Sequence, residues 1–241
     1  MNQANQYPLS ILSKIILFCF VATTTLLAQN EQTQRTEQPT TTLPKKGFTG
    51  HVMFGMAHLG GDITTYLPQN QFVFGIEGGY IYKNVVITSV FHGTGDYDLK
   101  HNLELKGRTW GIESGAGVFT LQFSSGYQLR LAKRWLATPF IGYNRTILEI
   151  KERLVGNQYY ETPSTTLTNA NFSGGVNVDW ILKNALVSPI KKKNKDWHVL
   201  SALRMRVEYN PRFSLPYNSL LLNNKMLNIS LGLTTIFGRN Q

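Results

Sequence analysis

Residues Met226 to Phe237 read MLNISLGLTTIF. Leu227, Ile229, Leu231, Leu233, Thr235 and Phe237 fall on one parity, and Asn228, Ser230, Gly232 and Thr234 on the other. Side chains of a strand point alternately to its two faces, so this is one strand with an oily side and a small, polar side.

The same pattern recurs along the chain. Trp197, Val199, Leu203, Met205, Val207 and Tyr209 oppose His198, Arg204, Arg206, Glu208 and Asn210. Phe119 to Leu131, Phe172 to Leu182 and Gln71 to Tyr82 alternate as clearly. Phe48 to Leu59, Val85 to Thr94 and Leu136 to Leu148 alternate more weakly, for eight expected strands. Lys83-Asn84 and Ala132 to Trp135 are short connections. Gly60 to Asn70, Gly95 to Val118, Glu149 to Ala170 and Pro211 to Lys225 read as long polar loops. Short and long connections on alternating sides predict an all-β, up-and-down antiparallel meander. Asn184 to Asp196 is the exception, standing where a tight turn is due yet 13 residues long.

Volume decides which face lies outside. Eight strands close into a barrel whose interior is only just wide enough for side chains to fill. The large residues of the oily faces would overfill it, whereas glycine and serine suit it. The oily faces therefore point outward, and a continuous oily band calls for lipid. Aromatics near strand ends (Tyr80, Tyr82, Trp135, Trp180, Trp197, Tyr209, Phe237) suit the headgroup level. Composition agrees: of 241 residues only 16% are charged, against about 25% in ordinary soluble domains. No apolar run is long enough for a membrane-spanning helix, and the lone Cys19 excludes a disulfide scaffold.

The N-terminus reads as an address. Lys14 precedes the apolar stretch IILFCFVATTTLL, with Ala28 at the cleavage position, so residues 1–28 are an expected signal peptide. Its removal takes away one lysine and no acid, leaving +9 of the chain's formal +10. Residues 29–46 hold no aromatic and a single large apolar residue, Leu43, and are expected to form a disordered periplasmic leader. The barrel is expected over residues 47–241.

From about residue 47 onward the chain resembles the bacterial outer-membrane eight-stranded β-barrels of the OmpA/OmpX-like type, in the form common in Bacteroidetes. Ser230, Gly232 and Phe237 match the assembly signal of that family's last strand, although Thr235 stands where a hydrophobic residue is usual. The resemblance implies export to the periplasm, insertion by the barrel-assembly machinery and residence in the outer membrane among its lipids.

Glu77, Arg130, Asp179, His198, Arg204, Arg206 and Glu208 lie on the polar faces. Unpaired charges inside a narrow barrel are costly, so an Arg–carboxylate network is expected. Arg204 or Arg206 would fork to Glu208, Glu77 or Asp179. The reading is a structural plug, with a narrow ion or solute pore as the alternative. Lys191, Lys192, Lys193 and Lys195 fall at the end of the short turns, where they would meet anionic headgroups. An exported barrel does not meet nucleic acid. Ser89 and His92, three apart on a strand, face opposite ways, as do His198 and Ser201, so neither pair makes a catalytic dyad. Asp96 and Asp98 read as a solvated turn. No enzyme, cofactor or metal is expected. The long loops, Gly95 to Val118 and Glu149 to Ala170 with Tyr159 and Tyr160, are the expected surface for a partner of a monomeric barrel.

Overall fold

The computed structural model describes residues 43–241 apart from 106, 113, 153–163, 183–186, 193–194, 218–219 and 240–241. Of residues 187–198, 212–222 and 239 only the backbone is described. The expected signal peptide and most of the leader lie outside the described residues.

Eight long strands make the wall: β1 (Lys46–Gly61), β2 (Asn70–Tyr82), β3 (Val85–Thr94), β7 (Gly115–Tyr127), β9 (Trp135–Lys151), β10 (Ser164–Ile181), β12 (Lys195–Tyr217) and β13 (Leu220–Arg239). Five short strands attach to it or sit in its loops: β4 (Tyr97–Asp98), β5 (Leu103–Leu105), β6 (Arg108–Trp110), β8 (Leu129–Ala132) and β11 (Val187–Lys192). Each long strand pairs antiparallel with its neighbours in sequence. β13 returns to β1, from Lys46↔Arg239 to Gly61↔Asn224, and closes the barrel. Closure leaves the wall no open edge.

The oily faces lie outside, as their volume requires. All eight strands expose large apolar residues, among them Phe54, Phe74, Phe91, Phe123, Ile141, Phe172, Met205 and Leu231. Ile141 is 75% and Phe172 71% exposed. Stacked Trp135 and Trp180, 6.2 Å apart, mark the band at the end of the short turns. Lys83, with φ 55°, makes the β2–β3 turn in the left-handed conformation that tight hairpins favour.

Several expectations need correction. Pro211 to Lys225 is not a loop: β12 and β13 stay paired out to Tyr217↔Leu220, with a register shift between Asn210 and Phe213 accommodating Pro211. Pro211 and Pro216 made the segment read as a loop, although Phe213, Leu215 and Tyr217 alternate with Ser214 and Pro216. Likewise β9 runs on to Lys151 and β10 starts at Ser164, leaving Tyr159 and Tyr160 outside the described residues. The long Asn184 to Asp196 connection contains β11, which folds back on β12 with Lys192 opposite Lys195. At the N-terminus the barrel takes in residues assigned to the leader: β1 starts at Lys46, and Leu43 packs on an apolar cluster in the barrel mouth.

Candidate functional site

The inward positions change character with depth, and β13 shows the sequence of layers. From the short-turn end they are Ile236, Thr234, Gly232, Ser230, Asn228 and Met226, all buried. Ile236 joins Ile81, Val86, Leu136, Ile181 and Leu200 in one apolar cluster, which also receives Leu43. Met226 joins a larger cluster at the long-loop end, with Leu59, Ile63, Leu103, Trp110, Leu148 and Ile150 among its members. Polar side chains fill the length between. The lumen is thus apolar at both ends and polar in the middle.

The middle carries the charges. The Arg204 guanidinium donates to both Asp179 oxygens, Nε at 2.6 Å and an Nη at 3.0 Å, and to Glu77 at 2.5 Å. Arg206 donates to the other Glu77 oxygen at 3.0 Å and to Glu208 at 3.0 and 3.2 Å. It also donates to Gln122 and, at 3.3 Å, to Asn177, while its guanidinium carbon lies 4.0 Å from the Phe140 ring centre. The second Glu208 oxygen accepts from Gln122 at 2.7 Å, and Gln122 also donates to Ser173 at 2.7 Å. Asn144 Nδ2 stands 3.5 Å from that oxygen. The bonded groups come from β2, β7, β9, β10 and β12, so the network cross-braces five of the eight strands. Arg206 is only 1% exposed. Ions this buried persist only when opposite charges and hydrogen bonds replace lost water, and these have both.

Glu77, Asp179, Arg204, Arg206 and Glu208 therefore meet. Arg130 stands apart: beyond the end of β7 at Tyr127, on the short β8, it donates to the Lys133 carbonyl at 3.0 Å. The His198 side chain, like those of Lys191, Lys192, Lys193 and Lys195, lies outside the described residues. Sequence reasoning missed His51, buried on β1, and did not place the buried His92 of β3 in the lumen. Both sit on strands whose faces alternate weakly. It also missed Gln122, Asn144, Ser173 and Asn177 as partners, because period two assigns a face and not a partner across the lumen.

Of the last-strand signal, Ser230 and Gly232 face inward and Phe237 lies half-buried on the outward parity. A Cβ at Gly232 would run into the Val52 carbonyl and the His51 ring. Ser89 is exposed outside while His92 is buried inside, so they do not meet. Asp96 and Asp98 are exposed at the long-loop end. Among the described residues no three metal-ligating side chains cluster. There too a single Arg108 Nη donates to both Glu152 oxygens at 2.8 Å and the guanidinium covers Trp110, tying the β5–β6 hairpin to the end of β9.

No family model matches the chain, and no curated protein matches it in sequence. Among solved structures it is similar to Neisserial surface protein A, with 12% identity, 78% of this chain and 96% of that chain covered, and a TM-score of 0.46. It is similar to Ail, the attachment invasion locus protein of Yersinia pestis, in complex with the heparin analogue sucrose octasulfate. There the identity is 10%, the coverage 80% of this chain and 99% of that chain, and the TM-score 0.45. The outer membrane protein AlkL in DMPC bilayers follows, with 12% identity, 85% and 97% coverage, and a TM-score of 0.35.

Proposed function

We propose that the protein is a non-enzymatic integral β-barrel of the bacterial outer membrane, exported by residues 1–28. Its lumen is plugged by paired charges, and it serves envelope structure or surface contact through its longer loops. One observation carries this reading: an exterior band of large apolar side chains encircles a lumen whose charges are bonded to one another. An apolar band exposed on every strand is stable only against lipid. Tightly bonded arginines between two apolar layers favour a plug over an ion path. Ser230, Gly232 and Phe237 serve the barrel-assembly machinery, and the mature protein is a monomer. Lys191, Lys192, Lys193 and Lys195 contact anionic headgroups. Exposed Lys45, Lys46, Lys83 and Lys133 stand at the same end.

The test is cell fractionation with gel mobility before and after boiling, on wild type and Leu231→Arg. Leu231 is 54% exposed within the band. The folded wild type is expected in the outer-membrane fraction with a heat-dependent shift. Arginine near the midplane costs about 2–4 kcal/mol and should deplete that species. A soluble, unshifted wild type would overturn the reading in favour of a soluble carrier. Steady conductance in planar bilayers, altered when Arg204 or Glu208 is neutralised, would replace the plug with a pore.

A further inference from the structure

Arg145 stands on the outside of the wall. It follows Ile141 and Tyr143 on the outward parity of β9, precedes Ile147, and is exposed. Its neighbours in register are Leu121 of β7 and Ala170 of β10. Among the described residues it has no hydrogen bond and no ion pair. The next acid on the same face of β9, Glu149, already lies 3.1 Å from Lys151. Among the described side chains of the eight long strands, no other cation stands outward between two apolar residues. Arg204 and Arg206, by contrast, face inward and are saturated with acids.

Height gives this isolated charge a meaning. Ten residues separate Arg145 from Trp135, and ten separate Ala170 from Trp180, the stacked pair at the short-turn end. At about 3.3 Å per residue and a strand tilt of about 35–45°, this is about 25 Å along the barrel axis, the height of an outer-membrane apolar band. Arg145 therefore marks the opposite border of the band, on the side of the long loops, which in such barrels face the cell exterior. There an arginine lays its stem on apolar surface and holds its head among lipid headgroups. Just beneath it Tyr143 and Phe172 meet edge to face, 5.5 Å apart, and with Ile141 present a broad exposed apolar surface. Beside it Ala170 carries only a methyl, and the exposed Thr168 brings a hydroxyl one outward step nearer the loops.

We propose that Arg145 anchors the phosphate of a phosphorylated, multiply acylated glycolipid in the outer leaflet. The planar guanidinium takes the phosphate, Thr168 faces the sugar, and acyl chains lie along Tyr143, Phe172 and Ile141. A soluble anion would satisfy the guanidinium alone, whereas a lipid also covers the apolar surface below it. The inference rests on the membrane-barrel reading and gives that barrel a lipid partner at the end opposite its lysine run. Its test is native mass spectrometry of the detergent-purified barrel, titrated with diphosphoryl lipid A. Wild type is expected to hold lipid A more tightly than the same lipid stripped of phosphate. Arg145→Gln should weaken lipid A binding at least about tenfold, the factor that 1.4 kcal/mol represents, and leave binding of the phosphate-free lipid unchanged. Arg145→Lys should fall between the two, because a point charge replaces a planar fork. Ala170→Trp, which keeps the charge and crowds its open side, should weaken binding as well. Lys46→Gln, exposed at the far end, should not. Equal lipid A affinity of wild type and Arg145→Gln overturns the proposal, as does an equal loss in Lys46→Gln. Equal competition by phosphatidylglycerol makes Arg145 a contact for any anionic lipid and overturns the glycolipid assignment. Should Arg145→Gln give no heat-shifted band, Arg145→Lys and Ala170→Trp decide, and unchanged binding in both overturns the site. Absence of that band in the wild type would count against the barrel reading instead.

Discussion

Arg204 and Arg206 stand two residues apart on one face of β12 and share Glu77 of β2, each taking one carboxylate oxygen. One acid thus joins two guanidinium groups that would otherwise repel. Each arginine keeps a second acid, Asp179 for Arg204 and Glu208 for Arg206.

That arrangement ranks the consequences of substitution. Arg206→Ala strips partners from Glu77, Glu208, Gln122 and Asn177 at once, and removing one member of a buried pair costs about 3–5 kcal/mol. Glu77→Gln leaves each arginine its second acid and should cost less. Urea unfolding of the barrel in detergent micelles, followed by tryptophan fluorescence, measures both. A Glu77→Gln loss equal to or above that of Arg206→Ala would contradict the bonding described.

Glycines on the two faces should behave oppositely. Gly232→Ala forces a Cβ into the Val52 carbonyl and the His51 ring, and overpacking of this kind costs about 1–3 kcal/mol. Gly50 points outward with nothing near its missing Cβ. Gly50→Ala should be neutral or gain up to about 1 kcal/mol by restricting the unfolded chain. The same unfolding measurement distinguishes them.

The basic end predicts a lipid dependence. Wild-type protein should unfold at higher urea in vesicles containing anionic phospholipid than in zwitterionic ones. Replacing Lys191, Lys192, Lys193 and Lys195 with glutamine should remove most of the difference, at about 1 kcal/mol per lysine. Raising salt to 1 M, where the Debye length is about 3 Å, should remove it in the wild type. An unchanged difference in the glutamine variant would place the contact elsewhere.

Period two made the wall legible: residues such as Leu231 and Asn228 can only face opposite ways, and volume then sends the oily side outward. Charge made part of the lumen legible, since Arg204 and Arg206 between small residues have to find acids. Depth was not legible. Ile81, Leu200 and Ile236 share a parity with the polar face, and only the register around the barrel gathers them at one mouth. Strand length was legible only within the oily band. At Pro211 to Tyr217 the backbone stays paired, although Pro211 and Pro216 give the stretch the punctuation of a loop. Arg130 failed for a related reason: parity puts it on the inward face, but β7 has already ended.

The ion cluster also has a temporal meaning. Arg204 and Glu77 are 127 residues apart in the chain, and Arg206 and Glu77 are 129 apart. Neither pair can meet until late strands have curled round to face early ones across the lumen. Contacts of such long sequence separation form slowly, because loop closure comes before any reward. A half-built wall leaves Arg204 only Asp179 and Arg206 only Glu208 as acid partners, and circular completion adds Glu77 to both. The shared acid is the member of the cluster that only a closed ring can supply.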